Sequence, residues 1–167
     1  MKNMVTIRRK IVPCIWLEKD ADKAAAFYVS VFENSKILKT AYYPKAAEEV
    51  SGQKQGTVLT VSFTLEGQEF MVLNGGPAFR LNEAVSFMVF CDTQEEIDYF
   101  WNRLSFVKEA EQCGWLKDKF GLSWQIVPTI LESMTTDKDP GKVERVTAAF
   151  LKMKKFDISA LKKAFEG

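Results

Sequence analysis

Two stretches decide the fold: Gly67-Gln68-Glu69-Phe70-Met71-Val72-Leu73-Asn74 and Gly121-Leu122-Ser123-Trp124-Gln125-Ile126-Val127-Pro128. Each is a turn glycine, an aromatic residue three positions later and a mostly apolar run, which reads as the returning strand of a hairpin. Residues 57–65 alternate in character and precede the first stretch across the turn Glu66-Gly67. Residues 114–118 precede the second across Lys119-Phe120-Gly121. The spacing makes Gly67 and Gly121, Phe70 and Trp124, and Met71 and Gln125 equivalent positions.

The same correspondence extends upstream. An apolar strand over residues 9–17 leads through Glu18-Lys19-Asp20 into a helix over 21–32. There Ala24, Phe27, Tyr28, Val31 and Phe32 recur with helical periodicity, and Asp20 or Asp22 is the expected N-cap. A second apolar strand over 84–91 leads through Asp92-Thr93 into a helix. Thr93 and Glu96 form a capping box for it, and Ile97, Phe100, Trp101 and Leu104 make its apolar face. Asp20 precedes Phe27-Tyr28 by seven residues, and Asp92 precedes Tyr99-Phe100 by the same seven. With strands expected at 36–43 and, weakly, at 108–111, both halves read β-α-β-β-β, an internal duplication.

Residues 44–56 are polar and aperiodic and read as a loop. Beyond residue 128 the pattern turns helical. Thr129 and Glu132 fit a capping box, Asp139-Pro140 an N-cap followed by proline at the first helical position, and Asp157-Ile158 a last helix start. The expected organisation is paired modules over 1–128 (about 9–76 and 84–128) and a helical extension over 129–167. That extension is expected to pack across the duplicated core or onto a partner chain.

Composition narrows the chemistry. The 167 residues hold 23 Lys plus Arg, 22 Asp plus Glu and no histidine. A net charge of +1 argues against nucleic-acid binding. The lack of histidine removes Ser-His-Asp and Cys-His catalysis and histidine-ligated metal sites. Cys14, Cys91 and Cys113 stand apart with no C-x-x-C pair. Three cysteines and an opening without a signal-peptide core point to the cytoplasm, and no apolar run is long enough to span a membrane.

Further stretches carry a resemblance: Pro13-Cys14-Ile15-Trp16-Leu17, Ala25-Ala26-Phe27-Tyr28, Phe70 to Pro77 (FMVLNGGP), Asn82 to Phe87 (NEAVSF), Cys113 to Asp118 (CGWLKD), Gly121 to Gln125 (GLSWQ) and Leu151-Lys152-Met153-Lys154-Lys155. With the tandem modules, they resemble the PhnB-like proteins, often labelled 3-demethylubiquinone-9 3-methyltransferase domain, of the vicinal oxygen chelate (glyoxalase/bleomycin-resistance) superfamily. The resemblance implies an α+β fold of curved sheets around a ligand cavity, usually in a homodimer. It also implies metal ligands, typically His and Glu, on the first strand and last hairpin strand of each module. The glutamate positions here hold Met71 and Gln125. Near the histidine positions lie Val12, Pro13 and Cys14, and Ala84, Val85 and Ser86. Relatives often carry a histidine where this chain has Ala78.

No metal and no cofactor are therefore expected. The expectation is a protein that binds a small, partly apolar molecule, with Cys14, Trp16, Met71, Asn74, Phe79, Trp115, Trp124 and Gln125 in contact with it. Asn74 and Gln125 would be its polar contacts. Asn74-Gly75-Gly76-Pro77 could present backbone N–H groups or be only a tight turn. An enzyme, glyoxalase- or dioxygenase-like or methyltransferase-like, is the alternative. It would need a base, for which Glu83 and Cys14 are the weak candidates, and no glycine-rich loop suggests adenosylmethionine. A self-association module is the third reading.

Overall fold

Buried alternation on strands and one apolar stripe on each long helix generate the architecture seen in a computed structural model, which describes residues 10–167. The chain divides after Arg80 into two compact units.

In the first unit, β1 (Cys14–Leu17) leads into α1 (Ala21–Val31), then β2 (Lys36–Tyr42), a short 3-10 turn and a single turn of helix, α2 (Glu48–Ser51). The hairpin β3 (Val58–Leu65) and β4 (Gln68–Asn74) completes it. The sheet order is β1-β4-β3-β2, with β1 parallel to β4 and the other pairs antiparallel. Ala24, Ala25, Tyr28 and Val31 of α1 are buried, and Tyr28 stacks on Phe63 of β3, which stacks on Phe70 of β4.

The second unit repeats this plan. It runs β5 (Ser86–Cys91), α3 (Gln94–Leu104), β6 (Trp115–Lys117) and β7 (Ser123–Pro128), in sheet order β5-β7-β6 with β5 parallel to β7. Ile97, Trp101 and Leu104 of α3 are buried, as are Cys91, Leu116, Trp124 and Ile126 of the sheet. Three helices follow, α4 (Ile130–Thr135), α5 (Pro140–Phe150) and α6 (Ile158–Glu166).

Five local expectations need correction. The expected first strand is shorter, starting at Cys14; Arg9 lies outside the described residues. Residues 44–56 are partly helical, because their Lys, Ala and Glu content suits short turns. The weak strand at 108–111 is a 3-10 turn, Lys108–Ala110, closed by the ion pair between Lys108 and Glu111 (2.8 Å) and by Ser105 donating to Glu111. Lysine, glutamate and alanine are poor strand formers. The N-cap of α1, Asp20, makes no side-chain cap bond, since its backbone is left-handed (φ 67°). At α4, Thr129 caps nothing; its hydroxyl donates to Asp92 (2.8 Å).

The last helices pack on their own unit. Val146, Phe156 and Leu161 are buried. Gly114 lies so close to the Phe156 ring that a β-carbon there would overlap it. Gln94 of α3 donates to the Phe156 carbonyl (3.1 Å) and accepts from the Ile158 N–H (2.9 Å), tying α6 to α3. Among the described residues, no helix is long and apolar enough to cross a membrane.

Candidate functional site

Strand register sorts each sheet into a face packed on its helix and an open face, because side chains alternate and registered partners share a side. In the second unit, Phe87, Leu116, Trp124 and Ile126 take the helix side. The open face carries three rows. Ser86, Ser123 and Lys117 are paired in the first, Met88, Gln125 and Trp115 in the second, and Phe90 and Val127 in the third. Gln125 Nε2 donates to Ser86 Oγ (2.9 Å), which confirms that these neighbours share the face. Ser86, Gln125, Trp115 and Lys117 are half-buried, and Met88 and Phe90 are exposed.

The hairpin that presents this face is locked from behind. Asp118 is buried, 1% exposed. Its carboxylate accepts from the Phe120 N–H (2.8 Å), the Leu122 N–H (3.1 Å) and Trp124 Nε1 (2.8 Å). Gly121 supplies the left-handed residue that this tight turn needs (φ 87°). Trp124 therefore belongs to the core behind the sheet and does not share the face of Gln125. Sequence alternation alone, Trp124 beside Gln125 on one strand, carried that signal.

In the first unit, the open face pairs Cys14, Met71, Ser62 and Lys39 in one row and Trp16, Leu73, Thr60 and Ala41 in the next. Cys14 is exposed, and partial desolvation raises its thiol pKa. Trp16 is a clasp: its Nε1 donates to the Gly76 carbonyl (2.9 Å), and its ring meets Phe79 edge-on at 4.9 Å. A β-carbon at Gly75 would overlap the indole, so glycine is required there for close approach, whereas Gly76 takes a left-handed backbone (φ 82°). The Gly75 N–H is spent on the Leu17 carbonyl (2.8 Å). Phe79 is otherwise 64% exposed.

Asn74 is committed to structure. Its Oδ1 accepts from the Ala21 N–H (2.8 Å), capping α1 from 53 residues away, and its Nδ2 donates to the Val58 carbonyl (2.9 Å). Tyr43 Oη donates to its backbone carbonyl (2.5 Å). Cys113, with φ 50°, points its thiol at the Phe150 carbonyl (3.6 Å). Glu83 is exposed and ion-paired with Lys117, and that hydrogen bond lowers its pKa. The structure thus brings together Gln125 and Trp115 in one unit, and Cys14, Met71, Trp16 and Phe79 in the other.

The register also fixes what stands at the chelating corners. Cys14 is paired with Met71, and Met88, not Ser86, with Gln125, because β5 begins at Ser86. A hard divalent ion needs carboxylate or imidazole donors, which neither corner supplies, and a borderline ion that accepts thiolate needs more than the single thiol of Cys14. Among the described residues, no three His, Cys, Asp or Glu side chains cluster as a metal site.

Two tandem units, each with its first strand parallel to its last beside one crossing helix, define a protein of the vicinal oxygen chelate superfamily. Within it, the chain belongs to the PhnB-like family described as 3-demethylubiquinone-9 3-methyltransferase, whose sequence pattern matches residues 9–127. The PhnB protein from Bacillus cereus is 33% identical, with a TM-score of 0.60 over 72% of this chain and 100% of that one. Two further structures share the fold alone. The protein PA1353 from Pseudomonas aeruginosa is 14% identical, with a TM-score of 0.53 over 72% of this chain and 98% of that one. The fosfomycin resistance protein FosX from Listeria monocytogenes is 15% identical, with a TM-score of 0.53 over 78% of this chain and 99% of that one. No curated protein sequence matches the chain.

Proposed function

We propose that this protein binds a small, partly apolar organic molecule on its open sheet faces, without a metal ion. The observation that carries this reading is the donor set at the two corners, Cys14 with Met71 and Met88 with Gln125. A thiol, two thioethers and an amide fill the positions where the superfamily keeps chelators, with Trp16 and Trp115 beside them, and such surfaces favour organic ligands fixed by a few polar groups. Trp115 and Gln125 make the contacts on the face of the second unit, and Met71, Cys14, Trp16 and Phe79 those on the face of the first. Asn74 and Trp124 act behind them, by holding α1 and the last hairpin in place. The protein works as a homodimer in the cytoplasm, where its three free thiols stay reduced.

Neither candidate base favours catalysis. Ion pairing holds Glu83 below the usual carboxylate range, and desolvation pushes the Cys14 thiol away from its reactive thiolate. Elemental analysis after mild chelation tests the reading: a stoichiometric, tightly held divalent ion overturns it. A thermal-shift screen of metabolites, repeated with Trp115→Ala, supports it if hits stabilise the parent protein and not the variant. Light scattering tests the dimer, and a monomer at micromolar concentration refutes that part.

A further inference from the structure

The first row of the second open face contains a buried hydroxyl with nothing to bond. Ser123 is 1% exposed, and its Oγ has no hydrogen-bond partner among the described residues. A buried polar atom left unpaired is costly, and a native structure rarely keeps one without a purpose. Ser123 is flanked in register by Ser86 and by Lys117, both half-buried.

These neighbours share one bonding bias. Ser86 Oγ already accepts from Gln125, so its proton is free to be donated. The Lys117 ammonium spends one N–H on Glu83, and two remain. Ser123 has its whole hydroxyl available. Unspent donors therefore outnumber unspent acceptors along the row, and the cation at its end favours an anionic acceptor. The adjoining rows change character at once: Trp115 and Met88 flank Gln125, and Phe90 is 56% exposed beside Val127.

We propose that Ser86, Ser123 and Lys117 bind the carboxylate of an organic acid whose apolar body lies along Trp115, Met88 and Phe90. The proposal rests on the ligand-binding reading above and adds the chemical class. One carboxylate oxygen satisfies Ser123 between the other two donors. Lys117 also stays ion-paired with Glu83, so recognition comes from the hydrogen-bond donors of the row more than from net charge.

Titration calorimetry with hydrocinnamate and its neutral counterpart, hydrocinnamyl alcohol, tests this. The acid is expected to bind the wild-type protein about tenfold more tightly than the alcohol, the scale of charge-assisted hydrogen bonds. Ser123→Ala and Lys117→Met should each abolish most of that preference, while Lys117→Arg retains it. Circular dichroism verifies that each variant is folded. Equal binding of acid and alcohol by the wild-type protein overturns the carboxylate assignment and leaves the apolar reading standing. Ser123→Ala with its preference intact also overturns the assignment, since water then satisfies the hydroxyl. Binding of neither probe overturns both.

Discussion

Replacing Asp118 by alanine should unlock the hairpin that presents the open face of the second unit. Three donors converge on this buried carboxylate: two backbone N–H groups of its own turn and the Trp124 indole. A buried donor stripped of its acceptor costs about 1–3 kcal/mol. The Phe120 N–H is only part-buried and recovers much of its loss from water, so Asp118→Ala should cost about 3–5 kcal/mol in all. That is a large share of the roughly 5–15 kcal/mol available to a protein of this kind. Asp118→Asn is the control. Its amide oxygen still serves the turn, while its NH2 confronts Trp124 Nε1, so about 1–3 kcal/mol is expected. Urea unfolding followed by tryptophan fluorescence and circular dichroism measures both, with the slope checked for constancy. A cost below about 1 kcal/mol for Asp118→Ala, or equal costs for the two variants, would refute the reasoning.

Three other perturbations follow from the same packing. Asn74→Ala removes the distant cap of α1 and strands the Ala21 N–H and the Val58 carbonyl; thermal unfolding should register a loss of about 2–3 kcal/mol. Gly75→Ala forces the Trp16 indole off the Gly76 carbonyl and should cost about 1–3 kcal/mol by overpacking, with a shifted tryptophan emission. Alkylation with iodoacetamide, mapped by mass spectrometry, should modify exposed Cys14 before half-buried Cys113. Cys91 should stay unmodified until unfolding, since it is buried and desolvation, aided by Glu96 and Asp92, pushes its thiol up to about 12.

What the sequence disclosed was whatever depends on near neighbours. The Thr93-Glu96 capping box forms as read, because donor and acceptor lie within one turn. Asp139 likewise caps α5, accepting from the Gly141 N–H (2.8 Å). The duplication was legible because an inward aromatic three residues after a turn glycine is a requirement of packing, met by Phe70 in one unit and Trp124 in the other. The cap of α1 was hidden, since its acceptor comes from Asn74, which reads locally as a turn residue. Ser123 was hidden too. Only the strand register reveals that its hydroxyl lies between Ser86 and Lys117 with no partner.

The register also explains why the two open faces should differ in chemistry. In the first unit, the row through Met71 became thiol, thioether and a single hydroxyl before reaching Lys39. In the second, the row beside Gln125 gathered two hydroxyls and an ammonium. A soft, weakly polar surface tolerates almost any apolar contact, whereas a buried unpaired hydroxyl penalises every ligand that fails to supply an acceptor. Discrimination among ligands should therefore reside in the second unit, and substitutions at Cys14 or Met71 should leave the ratio of acid to alcohol binding unchanged.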